Sequence, residues 1–132
     1  MEYKLKRDDL VLPDLSFQIN GLLFDVYKQL GPGLLEKNYQ KAVAIALQKA
    51  GLNFKEQVHV PLKYDGKTVG CKYLDFLVEE KLIIELKQGA YISPSDIKQI
   101  YDYLVINNLQ LGLLACFTPN GVTIRRILNI IR

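Results

Sequence analysis

Between residues 14 and 30, apolar side chains recur every three or four positions: Leu15, Ile19, Leu22, Leu23, Val26 and Leu30. That spacing lays a single stripe along a helix. Asp14 is placed to cap its start and Gly31 to end it, and Gly31-Pro32-Gly33 then breaks the chain. A second helix is expected over about residues 34–50, with Gly51 as its stop. Residues 42–47 are apolar almost all round, which predicts burial on more than one side. Two helices joined by so short a break should pack together.

The period then shortens to two. Phe54, Glu56, Val58, Val60 and Leu62 alternate with Lys55, Gln57, His59, Pro61 and Lys63, the pattern of a strand. Pro61 argues for an edge position or a strand end. Asp65-Gly66 suits a tight hairpin turn. Further strands are expected over about residues 68–78 and 82–87, joined by the polar turn Glu79-Glu80-Lys81, giving an antiparallel meander. Ser93 is placed to cap a helix, Pro94 suits its first position, and Asp96 suits its N-terminal dipole. That helix should run to about residue 106, with Ile97, Ile100, Tyr101 and Leu104 turned inward. Residues 111–117 are nearly all apolar, as in a central strand covered on both faces. Thr118-Pro119-Asn120-Gly121 is a turn, and residues 122–128 form the last strand. The order α-α-β-β-β-α-β-β, with a crossover after the third strand, predicts a mixed sheet flanked by helices, an α/β (α+β) sandwich.

At 132 residues the chain is expected to form one domain, with residues 1–13 as a polar lead-in. Apolar types at 49% argue against intrinsic disorder. Basic residues exceed acidic ones by only three, which permits a polyanionic partner without arguing for one. Cys71 and Cys116 make neither a disulfide framework nor a zinc site, and both are expected to be buried small hydrophobes. The first nine residues have no signal-peptide pattern, and no apolar run is long enough for a membrane helix. The expectation is a cytoplasmic protein without membrane attachment.

Three acidic residues stand out. Asp75 lies within Tyr73-Leu74-Asp75-Phe76-Leu77-Val78, and Glu85 within Leu82-Ile83-Ile84-Glu85-Leu86-Lys87. A carboxylate in an apolar strand is costly unless it is paired or binds a metal. A hairpin about residues 79–81 sets Asp75 opposite Glu85, and a hard divalent cation such as Mg²⁺ or Mn²⁺ would relieve their repulsion. The backbone carbonyl of Leu86 could supply a further oxygen. Lys87 shares the face of Glu85 and could orient water or neutralise phosphoryl charge. The competing reading pairs Glu85 with Lys87 at a strand edge and uses Asp75 to cap a turn. Glu36 opens the second helix, a place the helix dipole favours for any acidic residue. Gln99 and Tyr103 share one face of the third helix, where they either face the site or mark its boundary. His59, the one histidine, reads as solvated. There is no Ser-His-Asp set, P-loop or GxGxxG motif.

In order along the chain come Gly33-Leu34-Leu35-Glu36-Lys37-Asn38-Tyr39, Tyr64-Asp65-Gly66, Asp75-Phe76-Leu77-Val78, Ile83-Ile84-Glu85-Leu86-Lys87, Gln99 with Tyr103-Leu104, Gly112-Leu113-Leu114 and Arg125-Arg126-Ile127. This series resembles the GxxExxY family, a small-protein branch of the PD-(D/E)xK nuclease-like superfamily, over about residues 17–128. The resemblance implies a restriction-endonuclease-like α-β-β-β-α-β core preceded by an extra helix. It implies a divalent metal, Mg²⁺ or Mn²⁺, held by Asp75 and Glu85, with Glu36 joining through water and Lys87 as catalytic lysine. Gln99 matches a glutamine found on this helix in several nuclease branches, and Tyr39 and Tyr103 would support the site. The chain departs from the family pattern in three places. Gln88 stands where Ala is common, Asp96 where His is frequent, and Ala115-Cys116-Phe117-Thr118 where Asn-Phe-Gly is usual.

The function implied is metal-dependent phosphodiester hydrolysis, on DNA before RNA, with Lys37, Lys41, Lys72, Arg125 and Arg126 as candidates to track the backbone. Two other readings accompany it. One is a catalytically silent nucleic-acid- or protein-binding module on the same fold. The other is a Holliday-junction-resolvase-like homodimer.

Overall fold

The computed structural model describes residues 11–130, so most of the polar lead-in lies outside the described residues. Helix α1 spans Pro13–Leu30 and α2 spans Glu36–Lys49. The sheet is built from β1 (Phe54–Tyr64), β2 (Lys67–Val78), β3 (Leu82–Gln88), β4 (Leu111–Thr118) and β5 (Gly121–Leu128), and α3 (Pro94–Ile106) connects β3 to β4. The strand order is β1-β2-β3-β4-β5. Among the described residues, only β3 and β4 run parallel, because α3 carries the chain back to the start of the sheet between them. The expected mixed sheet with flanking helices is therefore present. Pro61 lies on the edge strand β1, where its missing N–H breaks no second ladder. Asp65 and Gly66 both have positive φ (52° and 75°), as a tight hairpin turn requires.

Two cores sit on opposite faces of the sheet. On one, Ile19, Leu23 and Val26 of α1 and Tyr39, Val43 and Leu47 of α2 cover Phe76, Ile84, Leu86, Leu113 and Phe117. On the other, Ile100 and Leu104 of α3 cover Leu74, Leu77, Ile83, Leu114 and Ile127. Every residue of β4 is buried, as its apolar run predicts. Each fully buried Leu or Ile contributes about 1.5–3 kcal/mol. Gly112 lets α3 come close: a Cβ there would lie 2.5 Å from Ile100 Cγ2.

The β1–β2 ribbon changes face partway along. Phe54, Phe76 and Val78 pack on the α1/α2 side, whereas Val58, Val60 and Leu74 pack on the α3 side. In a regular strand, positions two or four apart share a face. The reversal falls at Gln57, whose φ is 54°, and at Asp75 across from it, between the pairs Glu56↔Phe76 and Val58↔Leu74. The ribbon beyond this point bends over α3.

Several local expectations need correction. Pro13, not Asp14, opens α1. Leu12 holds the cap position without any side-chain cap bond, and Asp14 contributes only its charge to the first turn. Helix α2 starts at Glu36, because the extended Leu35 precedes it, and Ile45 is 61% exposed, so one flank of α2 is open. Tyr101 on α3 is partly exposed rather than inward. Cys116 is buried, but Cys71 is exposed, because it lies on the outer part of the ribbon past the face reversal.

Candidate active site

Regular pairing between β2 and β3 covers only Val78↔Leu82, Leu77↔Ile83 and Phe76↔Ile84. Where the ladder ends, side chains replace it. The Asp75 N–H donates to Glu85 Oε1 (3.0 Å), and the Leu86 N–H donates to Asp75 Oδ2 (2.8 Å). The two carboxyl groups are thus fixed by each other's strands at the point where those strands diverge. Leu86 takes part through its N–H, while its side chain lies in the α1/α2 core.

Burial and the Asp75 charge push the Glu85 carboxyl up to about 9. Burial also raises Asp75, against the lowering effect of its bonds to Leu86 and Glu85, and Glu36 and Glu56 add to the rise. Burial and the neighbouring carboxylate thus favour the protonated form of Glu85. Two carboxyl groups whose burial and mutual charge oppose ionisation fit a hard divalent cation, which relieves that repulsion with one or two carboxylates and water. Asp75 and Glu85 are the residues that would hold it. Among the described residues, no three His, Cys, Asp or Glu side chains converge on one point.

Glu36, the first residue of α2, accepts from the Gln88 N–H at the end of β3 (3.1 Å) and lies close enough to act on Asp75 electrostatically. Tyr39 is fully buried beneath this turn. Its hydroxyl donates to the Gly31 carbonyl (2.7 Å) and accepts from the Leu34 N–H (3.2 Å), while its ring stacks on Phe117 at 4.1 Å. Tyr39 thereby ties together the break that delivers Glu36.

Lys87 projects to the α3 side, as Ile83 and Glu85 do, and its ion pair is with Asp96 (3.4 Å), not Glu85. The reading that pairs Glu85 with Lys87 and uses Asp75 as a turn cap does not describe this arrangement. Asp96 is nearly buried and opens α3 in a capping box with Ser93. Burial pushes the Asp96 carboxyl up, but the hydrogen bonds from Ser93 and the charge of Lys87 outweigh this and hold it below its ordinary value. Lys72 also reaches Asp96 (3.6 Å) and acts on Glu85.

The other candidates are placed elsewhere. Gln99 lies one turn beyond Asp96, beside a cleft of about 430 Å³ bordered by Val60, Pro61 and Tyr101; its Oε1 is buried without a partner among the described residues. The Tyr103 hydroxyl feels Glu80 and Lys55, whose ion pair marks the β2–β3 turn end of the sheet, so the structure does not bring it to the acidic pair. Lys37 and Lys41 are exposed on α2, and Arg125 is exposed on β5, opposite Leu114. Arg126 donates to the Val11 carbonyl (3.1 Å). His59 is exposed against Tyr73.

Sequence reasoning missed Asp96 as a partner of Lys87, because its capping role already accounts for it. It also missed Glu56, although that residue stands in the apolar phase of β1 and carried a signal.

A mixed sheet between helices, with an Asp and a Glu held at a strand divergence and a lysine two residues on, defines a restriction-endonuclease-like protein. A family model of the PD-(D/E)XK nuclease superfamily matches residues 13–127, and the chain belongs to that superfamily. No curated protein matches the chain. Among solved structures, the chain is similar to the crystal structure of SSO0001, with a TM-score of 0.54 and 14% identity over 74% of this chain. At that identity the likeness speaks for the fold alone. The match covers 51% of the SSO0001 chain, so this chain spans about half its length. Among the described residues, no helix is long and apolar enough to cross a membrane.

Proposed function

We propose that the protein is a divalent-metal-dependent nuclease that hydrolyses phosphodiester bonds in DNA, and that it belongs to the GxxExxY branch of its superfamily. The observation that carries this reading is the reciprocal bonding of Asp75 and Glu85 at the strand divergence, with Lys87 on the same face as Glu85. Superfamily membership supports a nucleic-acid substrate. The placement of Glu36 and Tyr39 around one turn supports the branch.

Asp75 and Glu85 are the proposed ligands of Mg²⁺ or Mn²⁺, the Leu86 carbonyl a further one, and Glu36 an acceptor for a water in the coordination shell. When bound, such an ion supplies acidified water and a positive charge against the scissile phosphate. A cation held by Asp75 and Glu85 would favour the ionised form of Glu85. Lys87 contributes an ammonium that balances charge developing on the phosphate, and Asp96 keeps that ammonium aimed along the α3 face. Gln99 is the proposed polar contact farther along α3.

The test is incubation of supercoiled plasmid, linear duplex, single-stranded DNA and RNA with the protein in Mg²⁺ and in Mn²⁺. DNA cleavage that disappears in Glu85→Gln and Lys87→Ala, with both variants folded, is the expected result. Cleavage of RNA alone would move the substrate. Cleavage that survives both substitutions would refute the assignment.

A further inference from the structure

Lys72 and Phe76 are four apart on β2, and a regular strand would put them on one face. The reversal at Asp75 separates them. Phe76 faces α1 and α2, and Lys72 is carried with Leu74 to the α3 side. There its ammonium lies 3.6 Å from Asp96 Oδ1, while Lys87 lies 3.4 Å from Asp96 Oδ2. Asp96 Oδ2 also accepts the Ser93 N–H (2.9 Å).

One buried carboxylate is thus shared by two ammonium groups arriving from different strands. One lysine would neutralise Asp96, and the second lies beside the acidic pair, whose own charge a bound cation would balance, leaving that ammonium for an anionic ligand. Both lysine side chains keep some exposure, 38% and 27%, so each can reach a ligand without leaving its strand. Such an arrangement suits an anion with several oxygen acceptors spread over a short distance, as a phosphodiester has.

We infer that Lys72 is a substrate-binding residue: with Lys87 it forms a two-ammonium phosphate subsite, held ready by Asp96, next to the carboxylates. The inference rests on the nuclease reading and specifies which phosphate contact the α3 side makes. Lys87 serves the reacting phosphate and Lys72 a neighbouring one.

The experiment measures binding rather than cleavage. Fluorescence anisotropy of a short labelled DNA duplex is followed in Ca²⁺ as salt rises from about 50 to 200 mM. The proteins are wild type, Lys72→Gln, Lys72→Arg and Lys98→Gln. Lys98 is the control, because it is an exposed lysine on α3 paired with Asp102. Loss of one phosphate contact lowers the salt slope by about one. Lys72→Gln should show that change and bind about 5- to 10-fold more weakly, while Lys72→Arg and Lys98→Gln stay within about twofold of wild type. A salt slope for Lys72→Gln equal to that of wild type would overturn the inference while leaving the nuclease reading intact. A wild-type protein that binds no DNA would overturn both. Thermal melts of all four proteins separate a folding defect from a lost contact.

Discussion

Asp75 and Glu85 complete each other's strands: the backbone N–H of Asp75 donates to the Glu85 carboxyl, and the Asp75 carboxylate accepts from Leu86, the residue after Glu85. The acidic pair therefore substitutes for ladder bonds that β2 and β3 no longer make. The position of each carboxyl is set by backbone rather than by a free rotamer, which is what a preorganised ion site needs.

The raised Glu85 carboxyl has a consequence for stability. Glu85 titrates near 9 in the folded protein against an ordinary value of 4.5. The folded state thus binds this proton more tightly than the unfolded one. Its contribution to stability is complete below about pH 4.5 and is lost as pH rises through 9. In EDTA, the melting temperature should fall between about pH 5.5 and 8.5, and the slope should be shallower in Glu85→Gln. Scanning calorimetry of both proteins across that range checks this. A steeper fall in the variant would contradict the assignment.

Asp96 combines two roles that two substitutions separate. Asp96→Ala removes both the capping box and the ion pairs, and should cost about 1–2 kcal/mol in urea unfolding. Asp96→Asn keeps an oxygen for the cap and loses only the charge, so its cost should be the smaller. On the proposed nuclease reading, cleavage should fall in both, because Lys87 loses its anchor in both.

Gly112 sets the distance between α3 and the sheet. Gly112→Ala places a methyl group against Ile100 and should cost about 1–3 kcal/mol, measured by chemical denaturation. A double variant Gly112→Ala/Ile100→Ala, which removes Cγ2, should cost less than the sum of the two single substitutions and would identify that contact as the cause.

Tyr39→Phe keeps the stack on Phe117 but removes the hydroxyl that joins Gly31 to Leu34. Those backbone groups then lack their partner, at a cost of about 1–3 kcal/mol in urea unfolding. An unchanged midpoint would show that the tie does not matter.

Much of this arrangement was legible in the chain because it depends on local period. Three strands with two tight turns give the meander, and counting back from the turn at residues 79–81 places Asp75 opposite Glu85. The apolar run of β4 and the capping box at Ser93 follow from equally local chemistry. The face reversal was not legible. It depends on a positive φ at Gln57, a residue type that ordinarily avoids that region, and the alternation of apolar residues runs on through it. That hid the turn of Lys72 toward α3 and the exposure of Cys71. The Lys87–Asp96 pair was hidden for another reason. It joins two elements whose relative position is decided by packing of α3, through Ile100, against Gly112 of β4, a strand distant from both charges in sequence.

The most direct measurement is a calorimetric titration of Mn²⁺ into the wild type, Asp75→Asn and Glu85→Gln, in two buffers of different ionisation enthalpy. These substitutions keep an oxygen for each backbone N–H, so the fold should persist and melts should remain cooperative. The account predicts saturable binding by the wild type with release of a proton near neutral pH, and loss of that binding in both variants. Wild-type protein that takes up no Mn²⁺ at millimolar concentration with DNA present, or variants that bind it as the wild type does, would contradict the assignment of Asp75 and Glu85.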